Sequence, residues 1–392
     1  MLNAAVVEHR AFASAPFSTP ELAAVYAEPA RIALLGVGTV GNALLARLTA
    51  LADAPLIERL QVVHIANSSA SFGTSPFGRG RHAVTGEGQA KSVARIPLTP
   101  TPLPEGEGLS NVAIALGHHG IRIVIDATAS EAVAERHAQW LAQGIHVVTA
   151  CKLGQGTALA RWHAIRAGCA RGDAQYGDSA TVGAGLPLLR SLRELQAGGD
   201  RIHAIAGVLS GSLAWLFNHY DGMRPFSALV RQARDAGYTE PDPREDLSGE
   251  DVRRKLLILA RASGYPLKAD AVEVASLVPP ELASLAKHDV DAALPTLDTS
   301  LREHYAEAWK NGERLRFIAR LERGIDGDMH ARVGLESLPP DHPLAGGAGT
   351  DNRVAIWSDR YREQPLVIQG PGAGAEVTAS ALLDDVLRIV NA

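Results

Sequence analysis

Short apolar runs alternate with amphipathic stretches through the first half of the chain. Residues 31–36, RIALLG, form an apolar run that ends in glycine. VGTVG follows, and Asn42 to Ala52 then place Ala43, Leu44, Leu48 and Leu51 at helical spacing. That order predicts a strand, a glycine turn and an amphipathic helix. Gln61 to Ala66, QVVHIA, is a predicted second strand that stops at Asn67-Ser68-Ser69. Two further runs, IRIVIDAT at 121–128 and IHVVTA at 145–150, flank a helical stretch carrying Val133, Ala134, His137, Trp140 and Leu141. Strands alternating with helices predict the α/β class, with a parallel, doubly wound sheet. Residues 73–110 are rich in Gly, Pro and Thr and read as excursions outside the sheet, with FGRGRH at 77–82 as their tip. After residue 187 the helical segments lengthen (188–197, 226–236, 250–263, 301–312) and apolar strands become fewer, which predicts a second, α+β domain.

Composition narrows the class. A chain of 392 residues is long enough for two or three domains, and 46% hydrophobic with 21% charged residues is the balance of an ordinary soluble enzyme. A net charge of −5 offers no general attraction for nucleic acid or an anionic membrane, so neither is an expected partner. Cys151 and Cys169 fit a reducing compartment and match no zinc or redox spacing. Residues 1–30 read as a loose N-terminal arm without the form of a signal peptide, and no segment approaches the roughly 20 apolar residues a membrane span needs. The expected location is cytoplasmic.

Gly36, Gly38 and Gly41 form G-x-G-x-x-G directly after a predicted strand and at the opening of a helix, the context in which that pattern signifies a dinucleotide site. Gly36 permits the tight turn, Gly38 lets the backbone approach a pyrophosphate, and Gly41 allows close helix-to-strand packing. The plain alternative is a merely tight turn. No carboxylate stands at the end of the second strand to grip an adenosine ribose; Asn67, Ser68 and Ser69 stand there instead. With Arg79 and Arg81 further on to face a 2′-phosphate, NADP is the expected cofactor, with NAD tolerated.

The stretches LLGVGTVG (34–41), DATAS (126–130), VVTACK (147–152), ATVGAGLP (180–187), GVLSGSLAWLFN (207–218), GYTEPDPREDLSGEDVRRKLLILAR (237–261) and GPGAG (370–374) together resemble homoserine dehydrogenase. The resemblance covers residues 31–392. It implies a monofunctional enzyme, without an aspartate kinase or C-terminal regulatory domain, that reduces L-aspartate 4-semialdehyde to L-homoserine with NAD(P)H on the route to threonine, methionine and isoleucine. It implies a Rossmann-type domain over 31–187 joined by 370–392, and a substrate-binding and dimerisation domain over 188–369, assembled as a homodimer or homotetramer. Cofactor contacts carry over to Gly36, Gly38, Thr39, Val40, Gly41, Asn67, Ser68, Thr128, Ala129, Ser130, Lys152, Gly372 and Gly374. Substrate contacts carry over to Glu240, Asp246, Gly211 and Tyr238. A monovalent cation, Na or K, is implied on the backbone carbonyls of Ser179, Val182, Ala184 and Leu186. This chain departs from the family pattern twice: Cys151 precedes Lys152 where Asn is usual, and Ser179 stands where an acid is usual.

Residues 238–255, YTEPDPREDLSGEDVRRK, hold ten charged residues and two prolines in eighteen positions, far above the chain average. Reducing an aldehyde creates an alkoxide, so a proton donor must sit beside the carbonyl oxygen, and an amino-acid substrate also needs an acid for its ammonium. Pro241 and Pro243 are expected to hold Glu240 to Arg244 extended, and Ser248 to cap a new helix with Asp251 in its first turn and Lys255 on the same face. Under the resemblance Glu240 takes the substrate ammonium, Asp251 positions Lys255, and Lys255 with Lys152 carries the catalysis. The plain alternatives are a capping-box acid at Asp251 and an exposed i,i+4 pair, contributing about 0.2–0.5 kcal/mol. Arg244, Glu245, Asp246, Arg253 and Arg254 read by charge alone as surface or interface residues. Lys152 follows its strand at the edge where doubly wound sheets bind ligands, and the glycines at 370, 372 and 374 imply a backbone close to a ligand or a hairpin turn. Two rival readings stay open: Cys151 as an aldehyde-capturing nucleophile, and a nucleotide-sensing module without catalysis.

Overall fold

A computed structural model describes residues 28–67, 70–73, 109, 112–324 and 327–392. The expectations for most of the N-terminal arm and for Ser68, Ser69, Arg79, Arg81 and FGRGRH fall outside those residues.

The first six strands form one sheet: β1 (Ala30–Leu35), β2 (Leu60–Asn67), β3 (Ala70–Gly73), β4 (Arg122–Asp126), β5 (His146–Thr149) and β6 (Tyr176–Gly177), in the order β3-β2-β1-β4-β5-β6. Five run parallel, and β3 is antiparallel to β2, a departure from an all-parallel sheet. Alternation along each strand feeds two separate cores. Ile32, Leu34, Ile123, Ile125 and Val148 face the helix Thr39–Ala50 and the C-terminal helix Ala375–Val390. Ala33, Leu35, Val124 and Val147 face the helices Glu131–Ala142 and Leu159–Gly172. Period-two strands with apolar residues on both faces are what a sheet covered on both sides demands, and each fully buried Leu or Ile contributes roughly 1.5–3 kcal/mol.

The second sheet contains β7 (Ile202–Val208), β8 (Val272–Val274), β9 (Arg314–Arg323), β10 (Met329–Leu338), β11 (Asp351–Ser358) and β12 (Leu366–Pro371), ordered β12-β11-β7-β9-β10-β8. It is antiparallel except where β8 runs parallel to β10. Six strands and several helices after residue 187 make this the expected α+β part, with more strands than the apolar runs alone suggested. The reason is visible in β9, RLRFIARLER, where Leu315, Phe317, Ala319 and Leu321 enter the helix-covered core while the alternate positions include Arg316, Arg320 and Glu322. A strand whose alternate positions carry Arg314, Arg316, Arg320 and Glu322 does not read as an apolar run. The helices Gly211–His219, Phe226–Asp235, Glu250–Ala262 and Asp298–Lys310 share that core. After β12 the chain crosses back, and the helix Ala375–Val390 packs on the helix Thr39–Ala50 of the first sheet.

Candidate active site

The parallel strands set several loops level. Leu35 pairs with Asp126 and Asp126 with Thr149, so Gly36, Ala127 and Ala150 leave the sheet along one edge. Gly36 has φ 91°, in the left-handed region, and a Cβ there would lie 2.8 Å from the Ala127 carbonyl oxygen. A Cβ on Gly41 would fall 1.9 Å from the Gly36 carbonyl oxygen, so the helix can approach the strand only without one. Gly38 faces open space. The helix that follows has no acid in its first turn and no side-chain cap, leaving the early amides, Thr39 and Val40 among them, turned toward that space. Such a cradle fits the pyrophosphate of a dinucleotide.

Beside the turn, Asp126 is fully buried and organises the edge. Its Oδ1 accepts from the Thr128 amide at 2.9 Å and the Thr128 hydroxyl at 2.6 Å, and its Oδ2 lies 3.0 Å from His137 Nε2. His137 Nδ1 meets the Tyr176 hydroxyl at 3.0 Å. Ser130 caps the helix Glu131–Ala142 by accepting from Val133 N, and Ala129 lies between it and Thr128.

Beyond the end of β5, the Asp251 carboxylate bridges two lysines on different elements. Its Oδ2 is 2.8 Å from Lys255 Nζ, one helical turn along, and its Oδ1 is 3.4 Å from Lys152 Nζ, in the turn after β5. Lys255 is 8% exposed and also donates to the Leu209 carbonyl at 2.7 Å, so its ammonium is pinned from two sides. Partial burial opposes ionisation of the Asp251 carboxyl, but the Lys255 and then the Lys152 ammonium outweigh that and hold it well below the usual carboxylate range. The pair is an i,i+4 contact with one enclosed partner: Lys255 is buried, while the Asp251 side chain is 45% exposed. An anionic carboxylate with two cations at a crevice edge can hold one ammonium aimed at a developing alkoxide.

The surrounding charges sort differently from the sequence expectation. The segment expected to be extended, Glu240–Arg244, is non-helical through Pro243 but bends at Pro241 and Asp242 and meets the short helix Arg244–Leu247 at its last residue; Pro243, with φ −65° and ψ −12°, already adopts a helical conformation. Gly249, with φ 77°, takes the position before the helix Glu250–Ala262 where Ser248 was expected, while the Ser248 hydroxyl accepts from the Glu250 amide at 3.3 Å and donates to the Glu245 carbonyl at 2.9 Å. Asp246 faces inward: one oxygen accepts from the Ser212 hydroxyl at 2.7 Å and the other from the Glu240 amide at 2.8 Å. Arg244 is not a free surface charge either, since it pairs with Asp242 at 2.7 Å and donates to the Leu285 carbonyl at 2.7 Å. Arg253 pairs with Glu250 at 2.6 Å. Glu240 and Tyr238 are exposed, and Tyr238 stacks on Trp215 with ring centroids 5.1 Å apart. Gly211 opens the helix Gly211–His219, where a Cβ would sit 3.2 Å from the Thr350 carbonyl oxygen.

Cys151 is 3% exposed, and burial, with the Asp126 charge beside it, pushes its thiol up to about 12. A neutral, enclosed thiol is a poor nucleophile, which removes the physical basis of the aldehyde-capture reading. Ser179 gives its hydroxyl to Asp385 Oδ1 at 2.8 Å and its amide to Oδ2 at 2.9 Å, tying this segment to the C-terminal helix. Downstream, Val182 is fully buried, Ala184 takes a left-handed φ of 49°, and the Leu186 carbonyl accepts from Leu188 N at 2.8 Å. Among the described residues no cluster of three or more His, Cys, Asp or Glu is placed to hold a metal ion. Gly372 packs so closely over Asn352 that a Cβ would overlap its side chain, and Gly374, with φ 120°, precedes the helix Ala375–Val390. The sequence reading did not anticipate the Leu209 carbonyl, the Asp126–His137 pair or the buried Arg261. Backbone acceptors carry no residue signature, and His137 and Arg261 lie within ordinary helical patterns.

Two family models match. That described as homoserine dehydrogenase covers residues 187–387, and that described as the homoserine dehydrogenase NAD binding domain covers residues 36–173. A homoserine dehydrogenase of Emericella nidulans is 35% identical over 377 residues, covering 93% of this chain and 99% of the relative. The chloroplastic bifunctional aspartokinase/homoserine dehydrogenase 2 of Zea mays is 42% identical over 271 residues, covering 69% of this chain; the match spans 29% of that relative's length. The structure of a hyperthermophilic archaeal homoserine dehydrogenase in complex with NADPH superposes with a TM-score of 0.65 at 20% identity, over 93% of this chain and 98% of that one. The nucleotide turn, the crevice and these matches agree: the chain belongs to the homoserine dehydrogenase family.

Proposed function

We propose that this chain reduces L-aspartate 4-semialdehyde to L-homoserine with a nicotinamide nucleotide, NADPH in preference to NADH. The observation that carries the reading is the Lys152–Asp251–Lys255 bridge, one of whose lysines follows β5 at the sheet edge that also carries the glycine turn. When bound, the nucleotide supplies a hydride to the aldehyde carbon. Lys255, pinned by Asp251 and the Leu209 carbonyl, points its ammonium at the carbonyl oxygen and gives it a proton as the alkoxide develops, so the product leaves as the neutral alcohol. Asp251 holds that ammonium in line and is not itself consumed. Lys152, more open at 31% side-chain exposure, adds a second positive charge beside the substrate. Glu240, exposed at the crevice rim with its amide fixed by Asp246, receives the substrate ammonium, and Gly211 and Tyr238 border the same space.

The glycine turn with Thr39 and Val40, the Thr128–Ser130 loop and the Gly372–Gly374 segment hold the nucleotide. This reading divides the chain into a nucleotide-binding part, 31–187 with 370–392, and a substrate-binding part, 188–369, that also associates with a second copy. A Na or K ion on the carbonyls of Ser179, Val182, Ala184 and Leu186 is a separate proposal and enters no step here. None of the described helices is long and apolar enough to cross a membrane. The deciding experiment follows absorbance at 340 nm with the purified chain, L-aspartate 4-semialdehyde and either NADPH or NADH. Turnover with NADPH several-fold faster than with NADH is expected. No consumption of either nucleotide would sink the catalytic reading and leave a nucleotide-binding module in its place.

A further inference from the structure

The two lysines of the bridge come from different halves of the molecule, Lys152 from the turn after β5 and Lys255 from the helix Glu250–Ala262. The Lys152 contact is the longer, at 3.4 Å, so the placement of that turn's backbone decides whether the second ammonium reaches Asp251 at all. The turn is packed directly on the helix: a Cβ on Gly156 would lie 3.0 Å from the Arg254 carbonyl oxygen and 3.1 Å from Arg254 Cβ. It also closes on itself, the Gly156 amide donating to the Lys152 carbonyl at 2.7 Å.

Arg261 lies on the same helix as Asp251 and Lys255, is 2% exposed, and directs its guanidinium only to backbone carbonyls in its observed hydrogen bonds. It donates to the Gln155 carbonyl, to the Thr157 carbonyl at 2.8 Å, and to the Leu267 carbonyl at 2.8 and 3.2 Å. From the other side, Gln155 Nε2 donates to the buried Asp178 at 2.9 Å. A buried cation is costly to keep, and burial lowers this guanidinium to about 10. Helix anchoring alone would be served by an apolar side chain. What the guanidinium adds is a planar fork that grips two carbonyls of one turn in a single orientation.

We propose that Arg261 is a positioning residue for the reaction, a staple that sets the Lys152 turn against the Lys255 helix so that Asp251 can engage both lysines. The inference rests on the function proposed above. Arg261→Lys keeps the charge but cannot span both carbonyls, and Arg261→Met removes both; where the Met variant fails to fold, the Lys variant carries the test. For Arg261→Lys, kcat is expected to fall about tenfold or more while KM for the nucleotide stays within about twofold, since a displaced turn misplaces an ammonium rather than the phosphate cradle. In a Lys152→Ala background the same substitution should cost less than about twofold, because the residue acts through Lys152. A kcat for Arg261→Lys within twofold of the parent, or an undiminished loss in the Lys152→Ala background, would overturn the proposal. Amide exchange in the nucleotide-free protein supplies an arm independent of activity: Gly156 should exchange about tenfold faster or more in Arg261→Lys while Val124 and Val148 are unchanged, and an unaltered Gly156 overturns the staple. Should the parent chain reduce no aldehyde, the proposed function fails on that result, and the exchange arm still decides whether Arg261 holds the turn.

Discussion

A single carboxylate, that of Asp251, decides what the lysines beside it can do, because it neutralises one charge and orients two. Lys255→Ala removes the ammonium held at 2.8 Å and is expected to lower kcat by roughly 100-fold or more, the lower end of what a positioned acid contributes. A loss under about threefold in a folded variant would take Lys255 out of the mechanism. The Asp251 carboxyl is depressed below its ordinary 3.8, so its contribution to stability is present above that value and is lost as pH falls toward the lower folded one. Asp251→Asn is accordingly expected to flatten the acid limb of a plot of melting temperature against pH; parallel limbs for the two proteins would contradict the depressed carboxyl. At this scale the sequence showed Asp251 and Lys255 sharing a helix face. It could not show the Leu209 carbonyl or the inward turn of Asp246, since both depend on segments far away in the chain.

Among the elements, the glycine turn offers the sharpest contrast. Gly41→Ala places a methyl 1.9 Å from a backbone oxygen that no rotamer can move, so the helix must shift off β1, at a cost of about 1–3 kcal/mol. Gly38→Ala meets open space and should leave the melting temperature nearly unchanged while weakening the nucleotide, whose pyrophosphate would occupy that space. Thermal melts paired with nucleotide fluorescence titrations separate the two; a Gly41→Ala protein as stable as its parent would refute the packing argument. This motif was legible because three glycines, a strand and a helix fall in one short window. The second sheet was not, because β9 and β10 alternate apolar with charged residues whose partners lie largely on the neighbouring strand, as Glu336 lies 2.5 Å from Arg320. Likewise Gly249 takes the cap position by its backbone conformation, while the hydroxyl of Ser248, the residue singled out from the sequence, accepts from the Glu250 amide at 3.3 Å.

For the molecule as a whole, the second sheet covers one face with helices, while the other carries His203, Arg320, Glu322, Arg332, Glu336 and Trp357 on neighbouring strands. Opposite charges already pair there, Arg320 with Glu336 at 2.5 Å and Arg332 with Glu322 at 3.5 Å, and a face of mixed sign can meet its own copy about a twofold axis. A homodimer through this face is therefore expected, with light scattering giving at least twice the chain mass at micromolar concentration. A monomer under those conditions would remove the self-association from the proposed function.

Taken alone, the sequence determined the two-sided first sheet, the glycine turn and the shared face of Asp251 and Lys255, because each arises from residue spacing within a few helical turns or strands. Only the tertiary structure decided that Lys152 meets Asp251, that Arg261 grips the turn between them, and that Cys151 is enclosed. Those relations join residues distant along the chain, and burial, charge pairing and backbone acceptors are properties of the packed molecule that no local pattern of side chains encodes.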